Sequence, residues 1–213
     1  EALAESTDVA ALEARVKAAA ATYAEAADLL TKTRTKAAKT LSKGVSETMQ
    51  ELALGGGQCR VALLPVEGEG SAHGNERVEF QITGLAGSDW RPLAKVASGG
   101  ELSRISLAIQ VVTSACTAVP TLIFDEVDVG IGGSVAEVVG RLLAKLGEQR
   151  QVLCVTHLAQ VAARAGWQWQ VSKAKAEGGF QSCVTVLDDA ARVQEIARML
   201  GGVEITERTR AHA

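Results

Sequence analysis

Apolar residues recur at helical spacing along the first quarter of the chain. Leu12, Val16, Ala19, Tyr23, Ala26 and Leu30 are separated by 4, 3, 4, 3 and 4 positions. That is the repeat of a coiled-coil seam, held over nearly three heptads. Leu41, Val45, Met49 and Leu52 continue the stripe after a change of phase. Between Thr7 and Leu54 there is no proline and a single glycine, Gly44. The Ala, Glu, Lys and Leu that dominate this stretch favour helix. The pattern predicts a coiled-coil or neck helix over residues 1–53, about 70 Å long. No second helix of this length is readable, so the seam is expected to pack against an upstream segment or another chain.

Gly55-Gly56-Gly57 closes the helix, and residues 54–213 read as a separate α/β region. Cys59–Val66 and Arg77–Thr83 are expected strands around a loop at Gly68–Asn75, with Val78, Phe80 and Ile82 alternating. Pro92 leads into Val96-Ala97-Ser98-Gly99-Gly100-Glu101, after which Leu102, Ile105, Ile109 and Val112 mark a helix. Thr121–Asp125 reads as a short apolar strand, Val135–Leu146 as a helix, Gln151–Thr156 as a buried strand and His157–Ala165 as a helix. Trp167–Val171 and Phe180–Leu187 are expected strands about a Lys173–Gly179 turn. A last helix over Ala190–Leu200 ends at Gly201-Gly202. Strands alternating with helices imply a layered α/β fold with parallel strands.

Composition narrows the classes. Of 213 residues, 47% are hydrophobic and 22% charged, which excludes a disordered tail or fibrous repeat. No apolar run approaches the roughly 20 residues that span a bilayer, so no membrane partner is expected. The chain opens at Glu1 with no visible leader, read as a fragment boundary. Net charge is −3, so any nucleic-acid contact must come from a local patch. Aromatic residues are only 3%, which argues against base stacking on single strands. Cys59, Cys116, Cys154 and Cys183 are far apart and do not cluster with His73, His157 or His212. This argues against zinc or a disulfide framework and for reduced cytosolic thiols.

One local patch does exist. Residues 31–43 hold Lys32, Arg34, Lys36, Lys39 and Lys43 and no acid. Lys32, Lys36, Lys39 and Lys43 are spaced 4, 3 and 4 and share a helix face nearly opposite Leu41, Val45, Met49 and Leu52. Either the stripe is a solvated face or it tracks the phosphates of double-stranded DNA.

The chemistry concentrates further on. Thr121-Leu122-Ile123-Phe124-Asp125-Glu126 is an apolar strand that delivers two carboxylates at its C-terminal end, the Walker B pattern with a second acid. One carboxylate can hold Mg²⁺ while the next orients and polarises a water; alternatively Asp125 only caps the following turn. Ser98-Gly99-Gly100-Glu101 before an apolar helix is a capping box. It is equally a glycine turn at a helix N-terminus, where the backbone can approach a phosphate. His157 follows Asp125 by one strand–helix–strand unit, so it should lie near the acid pair.

The ordered set Ser98-Gly99-Gly100-Glu101, Asp125-Glu126, Asp128 and His157 resembles the signature, Walker B, D-loop and switch histidine of ABC-type ATPase heads. The preceding helix resembles the SMC-like branch, in which a coiled coil separates two half-heads. Lys95–Arg104, Asp125–Gly133 with its Gly130-Ile131-Gly132-Gly133, and Ala197–Gly202 resemble the RecN family of bacterial DNA-repair proteins in particular. No Gly-Lys dipeptide occurs, hence no Walker A loop.

The resemblance implies the C-terminal lobe of an ABC/SMC-type head, a mixed sheet with flanking helices, completed by an N-terminal half that carries Walker A. It implies ATP and Mg²⁺ as cofactors. Asp125 would bind the metal, Glu126 and His157 would be catalytic, and Ser98, Gly99, Gly100 and Glu101 would face the γ-phosphate of ATP held by the partner's Walker A. Asp128 would bridge the interface of an ATP-dependent homodimer. It further implies a cytoplasmic, nucleoid-associated ATPase of double-strand break repair and recombination. An SMC or Rad50-type head and a non-catalytic coiled-coil module are the alternatives.

Overall fold

The computed structural model describes residues 9–68, 70–84, 88–96, 98–116, 119–176, 179–201 and 207–213. Thr7 and the rest of residues 1–8, Glu69 of the expected loop, Ala97 of the glycine motif and Gly202 lie outside them.

The first element is the long helix α1, Val9–Glu51. Its exit comes earlier than the glycine triplet: Ala53 takes a left-handed φ of 57°, and the Leu54 amide bonds back to the Met49 carbonyl at 3.2 Å. This is a Schellman-type stop made with alanine instead of glycine. Val45, Met49 and Leu52 of the second stripe are fully buried, and they join Ile105, Leu107, Val127, Val139 and Leu143 in one core. That half of the stripe is therefore the root of the helix in the head, not a coil seam.

The upper seam is only partly unpartnered. Leu12 and Val16 are exposed. Tyr23, however, donates its hydroxyl to Asn75 at 3.0 Å and accepts the Ser71 amide at 3.0 Å. Arg34 donates to the His73 carbonyl at 2.8 Å and pairs with Glu76. Those partners sit at the end of a hairpin made of β1, Gln58–Pro65, and β2, Glu76–Thr83, paired antiparallel from Gln58↔Thr83 to Pro65↔Glu76. Ser42 and Ser46 accept the Val61 and Cys59 amides at 2.9 Å, so the hairpin lies along α1. A two-residue strand, β3 at Arg91–Pro92, completes this sheet, and a 3₁₀ turn follows at Leu93–Lys95. Neither was readable in the pattern.

Helix α2 spans Gly99–Thr113. Strand β4, Thr121–Phe124, pairs in parallel with β5, Gln151–Cys154, across helix α3, Gly133–Gly147. Leu122 and Phe124 face the core, while Ile123 is exposed. The parallel expectation holds for this pair alone among the described strands; the other two sheets are antiparallel.

The expected helix from His157 shrinks to one turn, α4 at Ala159–Ala162: Leu158 has extended backbone, and the Thr156 hydroxyl and His157 amide are engaged by a side chain described below. Strand β6, Trp169–Ala176, runs through the expected Lys173–Gly179 turn and pairs antiparallel with β7, Gly179–Val186, placing Lys173 opposite Ser182. Helix α5 covers Asp189–Gly201, and a short α6 covers Glu207–His212.

Candidate active site

Three chain segments meet beyond the C-terminal ends of β4 and β5. The first is the start of α2. Ser98 has extended backbone, and its hydroxyl accepts the Glu101 amide at 3.4 Å. The capping reading therefore holds, and the exposed Ser98-Gly99 turn still presents the positive end of a 15-residue helix. Gly100 is buried: a Cβ there would stand 3.2 Å from both the Cβ and the carbonyl oxygen of Val129. Only a glycine lets the two backbones approach this closely without displacement.

The second segment leaves β4. Asp125 and Glu126 are exposed, and the Asp125 Oδ1 accepts the Glu126 amide at 2.9 Å. Glu126 adopts a left-handed φ of 57°, a backbone region that non-glycine residues seldom occupy and that clusters at functional sites. Its carboxylate lies against Gly99, filling the space a side chain there would need. The water-activating candidate and the glycine turn are thus in contact within one chain.

The third segment leaves β5. His157 is exposed, with its Nδ1 3.3 Å from the Asp128 Oδ2. Asp128 is only 2% exposed. The same Oδ2 accepts the His157 amide at 3.1 Å and the Thr156 hydroxyl. A buried carboxylate needs such donors. Asp128, expected at a dimer interface, has its Oδ2 engaged within the chain. Thr156, absent from the expected site, is the residue that completes the arrangement. Its only signal in the sequence was its place beside His157.

The basic stripe lies elsewhere, on α1. Lys32, Lys36, Lys39 and Lys43 are all exposed. Lys43 has one loose partner, Glu47 at 3.9 Å, too exposed to neutralise it firmly. Arg34 is turned into the hairpin contact and does not join the stripe.

Among solved structures, the fold is that of the SMC head. The head with coiled coil and joint from Pyrococcus yayanosii matches with a TM-score of 0.55 and 24% identity, over 77% of this chain and 29% of that one. The Pyrococcus furiosus head with an extended coiled coil, bound to the C-terminal domain of ScpA, matches with 0.52 and 24%, over 78% and 39%. The chain is therefore an α/β lobe of SMC-head type preceded by its coiled-coil helix.

No family model matches, but sequence relatives are more particular. Proteins named DNA repair protein RecN are 49% identical over 203 residues in Xylella fastidiosa, 47% over 203 in Vibrio cholerae and 40% over 195 in Deinococcus radiodurans. These alignments cover 95%, 95% and 92% of this chain and 36%, 37% and 34% of the relatives. The chain thus spans about a third of the length of the RecN proteins it resembles, and it matches their C-terminal part.

Proposed function

We propose that this chain is the C-terminal half of a RecN-like ATPase head, completed by an N-terminal half that carries Walker A and working as an ATP-closed pair of heads. The observation that carries the reading is the contact of Glu126 with the glycine turn of α2, beside the Asp128–His157 pair. Acid, helix N-terminus and histidine converge on one edge of the parallel strands, where ligands bind in such sheets.

The residues suit the implied cofactors. Mg²⁺ is ordinarily held by one or two carboxylates together with phosphate oxygens. The exposed Asp125 at a strand end meets that need, although no group of three or more metal-binding side chains gathers among the described residues. When bound, ATP supplies the γ-phosphate and Mg²⁺ neutralises its developing charge. Ser98 and the backbone amides of Gly99 and Gly100, at the positive end of α2, would hold phosphate oxygens of the ATP bound by the second head. Glu101 contributes the amide that keeps Ser98 in place. Glu126 orients the attacking water and takes its proton. Asp128 fixes the imidazole of His157 from the Nδ1 side, and His157 would sense the γ-phosphate.

The naming of the relatives supports a role in DNA repair. The exposed lysines of α1 support contact with double-stranded DNA; work at double-strand breaks and a location in the cytoplasm at the nucleoid belong to the same proposal. No described helix is long and apolar enough to cross a membrane.

The complete protein with Glu126→Gln tests the reading. The substitution keeps the shape but removes the base. Turnover is expected to fall by about 100-fold or more while ATP binding is retained. Near-normal turnover overturns the assignment of Glu126.

A further inference from the structure

Helix α2 carries a second set of contacts that this reading leaves unused. Arg104 lies near the start of α2 and is 7% exposed. Its Nη1 donates to the Val129 carbonyl at 2.8 Å, and its Nε is buried without a hydrogen-bond partner. Burial pushes its pKa down, and the neighbouring Glu101 carboxylate pushes it partly back. A buried guanidinium with an unmet donor costs free energy that an apolar side chain of the same length would not. Its neighbour Ser103 donates its hydroxyl to the Asp125 carbonyl at 2.7 Å.

The two acceptors bracket the strained residue. Glu126, at φ 57°, lies between the carbonyls of Asp125 and Val129. The turn itself is closed by one weak backbone bond, from the Val129 amide to the Glu126 carbonyl at 3.2 Å. Gly100 is pressed against Val129 on the same side. Adjacent side chains of α2 thus pin both ends of the turn to the helix whose N-terminus the Glu126 carboxylate touches.

We propose that Ser103 and Arg104 are positioning residues. Together they clamp the 125–129 turn to α2 and fix where the Glu126 carboxylate stands relative to Ser98 and Gly99. The proposal rests on the reading of Glu126 as the water-activating residue. Neither clamp residue touches nucleotide; each acts through the backbone of the turn.

The test uses the complete protein. Arg104→Met keeps the stem and removes the guanidinium. Ser103→Ala removes the other pin with little risk to folding. Each is expected to lower kcat by about 10- to 100-fold, as small misplacements of a reacting group do, with KM and ATP affinity within about twofold. In a Glu126→Gln background, followed by single turnover, neither is expected to lower the rate further, because groups acting as a unit are not additive. Unchanged kcat in Ser103→Ala and Arg104→Met overturns the clamp. So does an equal loss in both backgrounds, or a loss of ATP affinity in step with kcat, since these mark a merely structural role. If Arg104→Met does not fold, Ser103→Ala alone decides. Failure of the underlying reading is a different result: Glu126→Gln itself would then turn over normally.

Discussion

At the scale of single residues, burial decides what each group beside the acid pair can do. Cys154 ends β5 next to Asp128, and its thiol is pushed up to about 12 by burial first and then by the charges of Asp128 and Asp125. Burial alone pushes Cys59 up to about 11. Cys116 and Cys183 are exposed. A thiolate-selective reagent at pH 8 is therefore expected to label Cys116 and Cys183 in the native chain, and all four cysteines in denaturant; labelling of Cys154 without unfolding contradicts this. The sign for stability follows from the raised values. Both thiols stay protonated in the fold, so their contribution is complete below the ordinary value of 9.0 and is lost as pH rises toward 11–12. The sequence made Asp125, Glu126 and His157 legible because strand ends and spacing place them. It did not reveal that Asp128 is buried or that Arg104 is bound to Val129. Those partners are 25 or more positions away, beyond any local pattern.

At the scale of elements, period made the helices readable. The second stripe of α1 and the stripe of α3 bury one face, through Val45 and Met49 and through Val139, Leu142, Leu143 and Leu146, whereas Leu12 and Val16 of α1 and Leu102 of α2 are exposed. Period failed where a few side chains override it. Leu158, Val161 and Ala162 imitate a helical stripe, yet Asp128 captures Thr156 and His157 and delays the helix to Ala159. In β6 the charged Lys173 and Lys175 suggested a turn, whereas pairing with Ser182 and Phe180 carries the strand onward. For α1 the exposed face of Lys32, Lys36, Lys39 and Lys43 leads to a prediction. Lys36, Lys39 and Lys43 changed to Glu in the complete protein should weaken duplex binding. Each lost phosphate contact should also flatten the dependence of log affinity on log salt by roughly 0.9. Affinity measured across a salt series checks this, and an unchanged slope returns the stripe to a solvated face.

At the scale of the whole molecule, the chain has the glycine turn of α2 and the acid pair but no Gly-Lys dipeptide, hence not the loop that supplies most phosphate contacts. Purified alone, it is expected neither to bind ATP tightly nor to turn it over; calorimetric titration and a steady-state assay check both, and sustained turnover overturns the half-site reading. The missing loop was legible in the sequence. The exposed apolar surface was not: Ile123, Val155, Trp169, Val171, Phe180 and Val184 are exposed, although strand pattern alone would bury them. Another consequence lies in the hairpin along α1. Tyr23, Arg34, Ser42 and Ser46 bind it at intervals from one end of the helix toward the other. The pair is built as a splinted beam from Tyr23 down to the core at Leu52, where bending α1 would have to break these hydrogen bonds. The four lysines ride on this braced section, so their distance from Glu126 is held like marks on a ruler.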